Sequence, residues 1–144
     1  DFPNIIVFAL ENLSNASVTE EETPYLQHLQ QHGMNFTSHF TGGGTSEENL
    51  FRLMYGVPVT YRPEIPASVL VSELERTGYD VAVFSERLVP GLSGKNKIWE
   101  AWEPTLKDRD PTIPAFVFFD LIAASPAELD QKLREAMTDV TRAR

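Results

Sequence analysis

A three-layer α/β/α fold with a mostly parallel sheet is predicted by three features of the 144-residue sequence. Two apolar runs, Ile5 to Leu10 and Ala115 to Phe119, have no polar alternation and suit strands covered on both faces. Between and after them lie segments with apolar residues at helical spacing. Glycine, proline and capping residues punctuate the change from one kind to the other. Strands alternating with helices define the class.

The elements follow in order. Ile5 to Leu10 forms the first strand. Thr23 is expected to cap a helix whose first turn holds Pro24, with Tyr25, Leu26 and Leu29 on one side and Gly33 as its stop. Gly42-Gly43-Gly44 forms a loop. Thr45 and Glu48, three apart, make a capping box for a helix carrying Leu50, Leu53, Met54 and Val57. Pro66 opens a helix with Leu70, Val71 and Leu74 that ends at Gly78, and Tyr79 to Phe84 returns as a strand. Residues 86–112 show no period and read as an irregular connection containing Trp99 and Trp102, whose better reading is packing. After the strand from Ala115, Ser125-Pro126-Ala127-Glu128 caps a last helix with Leu129, Leu133, Met137 and Val140 on one face. No repeat or linker splits the chain, so residues 1–144 are expected to form a single domain.

Composition narrows the function. Hydrophobic residues make up 42% of the chain, enough for a core, and the 21 acidic against 12 basic side chains leave a net charge of −9. Such a balance repels phosphate backbones, so sequence-independent nucleic-acid binding is excluded. With no Cys there is no disulfide framework, thiolate zinc site or thiol nucleophile. The longest apolar runs fall far short of the roughly 20 residues of a membrane-spanning helix. The chain enters a strand within its first few residues, which leads us to expect a domain belonging to a longer protein.

Two places could carry chemistry. Ligands of open parallel sheets gather beyond the carboxyl ends of the strands, where Glu11 follows the first strand and Asp120 ends the last. Each could hold a cation, and a solvated loop acid is the plain alternative for Glu11. Thr45 and Ser46, after the three glycines, would put a hydroxyl among the N–H groups of a helix start, a setting for an anion or phosphorylated intermediate. Ordinary N-capping explains the same residues equally well. His28 and His32 have a zinc-compatible i, i+4 spacing, but the glutamines around them favour surface histidines.

Taken together, the run Pro3 to Leu13, Thr23-Pro24 with Leu26 and Leu29, Phe36 to Ser46, and Leu50 to Pro58 ending in Tyr55-Gly56-Val57-Pro58 resemble a known family. It is the sulfatase-like branch of the alkaline phosphatase superfamily. The similarity is closest to Gram-negative inner-membrane sulfatase-like proteins tied to lipopolysaccharide and cardiolipin homeostasis, and it spans residues 3–58, 66–85 and 113–142. It implies that Glu11 is the acidic metal ligand at the end of the first strand and Ser46 the nucleophile, with Thr45 as the alternative alignment. Asp120 would add a ligand, and His39 matches a position often held by His, for which a substrate-side role and a packing role weigh equally.

Active relatives use a divalent metal (Zn, Mn, Mg or Ca), and their hydroxyl attacks phosphorus or sulfur to form a covalent intermediate. Three departures argue against turnover by this chain. Ser stands where Thr is usual. Glu47 stands where many relatives carry Arg, and a carboxylate there repels an anionic substrate by about 1 kcal/mol even in water. No His follows His39, whereas the family completes its metal site with an Asp-His pair and a further His.

The resemblance therefore implies roughly half of a sulfatase-like domain at the periplasmic face of the inner membrane, binding or regulating, with Glu11, Ser46 and Asp120 an incomplete all-oxygen set suited at most to a weakly held divalent cation. Its expected partner is an envelope lipid or a membrane protein, and membrane association would come through parts outside this chain. The competing expectation is the N-terminal half of a competent metal-dependent hydrolase or phospho-group transferase.

Overall fold

The computed structural model describes residues 2–38, 42–57, 68–85, 96–97 and 109–142. Strands β1 (Ile5–Leu10), β2 (Asp80–Ser85), β3 (Asn96–Lys97) and β4 (Ala115–Leu121) form one sheet in the order β1-β4-β2-β3. All three pairings are parallel. The register sets Phe8 and Phe84 opposite Phe119, and Ala9 and Ser85 opposite Asp120. Four helices accompany the sheet among the described residues: α1 (Pro24–His32), α2 (Ser46–Tyr55), α3 (Val69–Arg76) and α4 (Pro126–Arg142).

Strand alternation sends successive side chains to opposite faces and so builds two cores. One joins Ile5, Val7, Val81, Val83, Phe116 and Phe118 to Leu50, Met54 and Tyr55 of α2 and Val71 of α3. The other joins Phe8, Phe84, Val117, Phe119 and Leu121 to Leu26 and Leu29 of α1 and Leu129, Leu133 and Val140 of α4. The sheet is thus sandwiched between α2/α3 and α1/α4, the α/β class that the apolar runs anticipate. In the second core, the Phe119 ring stacks between Phe8 at 4.9 Å and Phe84 at 5.3 Å, an aromatic row across three strands.

Several local expectations are corrected. Thr23 is buried, but its hydroxyl donates to the Ser17 carbonyl (3.1 Å) and accepts from Thr19 N–H (3.1 Å), so it does not cap α1. The cap comes from α4. The buried carboxylate of Asp130 accepts from Tyr25 N–H (3.1 Å) and Leu26 N–H (2.7 Å), supplying negative charge to the α1 N-terminus. Helix α2 stops at Tyr55 because Gly56 turns left-handed (φ 70°), so Val57 lies beyond it, and Leu53 faces outward with 47% exposure. Gly33 does stop α1, in an extended conformation. Helix α3 is capped by Ser68, whose hydroxyl accepts from Val71 N–H (3.2 Å) and donates to the Met54 carbonyl (2.7 Å), tying α3 to the end of α2. Pro66, Trp99 and Trp102 lie outside the described residues, while β3 falls inside the stretch read as irregular.

Candidate functional site

The carboxyl edge of the sheet brings Glu11 and Asp120 to one face. Glu11 N–H donates to the Leu121 carbonyl at 3.1 Å, extending the β1–β4 ladder one residue past β1. Asn12 then enters the left-handed region (φ 56°), which Asn tolerates, and turns the chain away. Alternation along β1 puts Glu11 on the same face as Ile5, Val7 and Ala9, and along β4 puts Asp120 with Phe116 and Phe118. This is the face that α2 and α3 cover. Asp120 is 1% exposed and accepts a hydrogen bond from the Ser85 hydroxyl at 2.8 Å across the β2–β4 pair. The Glu11 Oε1 atom is likewise shut off from solvent.

Ser85 carries no signal of its own in the sequence. Its role depends on strand register, and only a reading that paired β2 with β4 would have set it opposite Asp120.

Two carboxylates drawn from water onto one sheet face carry a desolvation cost that a cation or strong donors must offset. The donor set here is all oxygen: Glu11, Asp120 and the Ser85 hydroxyl. Such a set fits a hard cation such as Mg, Mn or Ca better than tight zinc, which favours nitrogen and sulfur. Among the described residues, no group of three or more His, Asp or Glu is arranged to hold a metal ion. His28 and His32 belong to the opposite layer, on α1. They are exposed, with rings 4.1 Å apart and the His32 Nδ1 atom 2.8 Å from the His28 carbonyl. They do not join Glu11. His39 lies outside the described residues.

The second candidate site starts α2, whose Leu50, Met54 and Tyr55 pack on the same sheet face. The capping box is complete. Thr45 Oγ1 accepts from Glu48 N–H (3.2 Å), while Glu48 Oε2 accepts from Gly44 N–H (2.8 Å) and Thr45 N–H (3.2 Å). The glycine loop folds back on the helix: Gly43 N–H donates to Asn49 Oδ1 (2.8 Å), and a Cβ at Gly43 would sit 2.6 Å from the Glu48 Cβ.

Two consequences follow. Thr45 spends its oxygen on the cap, whereas Ser46, at the first helical position and half-buried, makes no side-chain hydrogen bond among the described residues. Ser46 is therefore the better-placed of the two hydroxyls. In addition, two amides of the loop beside Ser46, those of Gly44 and Thr45, are occupied by the Glu48 carboxylate. Thr45→Ala is expected to lower stability by about 1–2 kcal/mol and Thr45→Ser by only a fraction of that, as measured by urea denaturation.

The fold and these residues define a parallel α/β domain with acidic and hydroxyl groups gathered toward one face of its sheet. Its relatives are distant. No family model matches the chain. The inner membrane protein YejM of Salmonella typhimurium is 29% identical over 87 residues, which is 57% of this chain and 14% of the relative. A protein of Haemophilus influenzae described as uncharacterized is 28% identical over 87 residues, 58% of this chain and 15% of that one. The chain thus spans about one-seventh of the length of the curated relatives it matches. Among the described residues, no helix is long and apolar enough to cross a membrane.

Proposed function

We propose that this chain is a sulfatase-like extracytoplasmic domain of a membrane-anchored envelope protein that binds or regulates rather than turning over substrate. The observation that carries this reading is the occupied loop: the protein's own Glu48 carboxylate holds Gly44 N–H and Thr45 N–H beside Ser46. An ester oxyanion approaching Ser46 competes with a tethered carboxylate for those donors and meets Glu47 as well. The inner-membrane description of YejM supports the envelope setting, and the periplasmic face is part of the proposal. Glu11 and Asp120 are the residues that would hold a divalent cation; such an ion supplies charge neutralisation and Lewis acidity when bound. The test is hydrolysis of aryl phosphate and aryl sulfate esters with Mg, Mn, Ca or Zn added. We expect rates equal to background, and turnover that disappears in Ser46→Ala would overturn the reading.

A second reading is favoured by a different observation. Among the described residues β1 is an edge strand, yet Ile5–Leu10 are all apolar and all half-buried, whereas β4 is buried throughout. A strand apolar on both faces suits the interior of a parallel sheet and leaves an aggregation-prone edge if nothing pairs with it. Further strands from a longer polypeptide would complete the sheet, and with it a metal-dependent hydrolase or phospho-group transferase using Ser46 or Thr45. This version expects metal-dependent turnover from the longer polypeptide and fails if that protein, loaded with metal, is inert.

A further inference from the structure

Helix α2 lays a cation, Arg52, against the glycine loop that precedes it. Arg52 is half-buried, and its side chain lies against Gly42: a Cβ at that glycine would fall 2.7 Å from Arg52 Nε and 2.8 Å from its Cδ and Cζ. Side chains of a helix lean toward its N-terminus, so Arg52 reaches back from the second turn along the glycine loop toward the end of the helix that holds Ser46. Glu48 stands one turn earlier, the usual position for an i, i+4 ion pair. That pair does not form, because the Glu48 carboxylate is turned to Gly44 N–H and Thr45 N–H. Among the described residues, the Arg52 guanidinium makes no hydrogen bond or ion pair. A guanidinium offers a planar fork of donors matched to two oxygens of a phosphate or sulfate, and this one is already laid in place by the absence of a side chain at Gly42.

We propose that Arg52, seated on Gly42, is the anion-binding residue of this domain and that its ligand is the phosphate group of an ester or lipid headgroup. The assignment rests on the binding reading above and gives it a ligand class. It does not use the Gly44 and Thr45 amides, which Glu48 holds. The ligand's oxygens meet the guanidinium alone, beside the loop, an arrangement that binds without activating Ser46.

The test is titration of the intact chain with inorganic phosphate at low ionic strength, followed by calorimetry or phosphorus NMR. A second arm uses cosedimentation with phosphatidylcholine vesicles containing phosphatidic acid. Arg52→Gln is expected to weaken phosphate binding about tenfold or more, the effect of losing charge-assisted hydrogen bonds, and Arg52→Lys to restore part of it. Gly42→Ala is the sharper variant. Its Cβ displaces only the flexible end of Arg52, so binding falls while the melting temperature holds. Arg52-dependent binding to vesicles as well as to phosphate assigns a lipid headgroup, and binding to phosphate alone assigns a soluble ester. Equal affinity in wild type, Arg52→Gln and Gly42→Ala, or no binding by wild type, overturns the proposal. Ser46-dependent ester turnover would instead overturn the non-catalytic reading and leave the Arg52 assignment to stand on its own titration.

Discussion

Phe119→Ala is expected to be the most damaging single change in the described core, lowering stability by about 4–8 kcal/mol. The side chain has no solvent exposure and stacks on Phe8 and Phe84 from both neighbouring strands. Truncating a buried Phe costs about 3–5 kcal/mol through lost transfer energy and the cavity left behind, and each aromatic pair adds about 0.5–1.5 kcal/mol. Domains of this size have total stabilities of about 5–15 kcal/mol, so the loss removes a large share of the total. Urea denaturation with unchanged slope measures the loss. Phe119→Leu, which keeps most of the volume, should recover more than half of it. A loss below about 2 kcal/mol would mean that the aromatic row does not hold the three strands together.

Asp130→Ala should cost about 2–4 kcal/mol, an unusual amount for an acidic residue on a helix. The carboxylate is buried, and it bridges α4 to the first turn of α1 through two backbone N–H groups. Removing it strips two charge-assisted hydrogen bonds and leaves desolvated donors at a positive helix end. Amide hydrogen exchange at Tyr25 and Leu26 should accelerate before the rest of the chain does. Asp130→Asn keeps an acceptor but not the charge and should fall between the two. Wild-type exchange at those amides in Asp130→Ala would contradict the capping role.

These two effects show what the sequence does and does not reveal. The parallel α/β class is legible because Ile5–Leu10 and Ala115 to Phe119 are apolar on both faces, the pattern of a strand covered on both sides. The α2 start is equally legible, since a capping box is a local, four-residue event that Thr45 and Glu48 form as their spacing predicts. Thr23 misleads for the opposite reason. As a Thr before Pro24 it has the local signature of an N-cap, but a partner more than 100 residues away in sequence takes that role and leaves its hydroxyl to the preceding loop.

At the candidate site the same division holds. Glu11 and Asp120 can be placed from strand ends alone. Ser85 emerges only from the β2–β4 register, and Arg52 only from the way Gly42 makes room for it. Nothing in the residue types says that Glu48 would spend its carboxylate on Gly44 N–H as well as on Thr45 N–H. That choice distinguishes a loop open to an anion from one that is already filled.

Whether Ser46 ever forms a covalent intermediate is read directly by intact-mass measurement. The chain would be incubated with an aryl phosphate or aryl sulfate ester and a divalent cation, then quenched in acid to trap any covalent intermediate. An unmodified mass, as in Ser46→Ala, is expected. A phosphoryl or sulfuryl adduct that is present in wild type and absent in Ser46→Ala would contradict the non-catalytic reading.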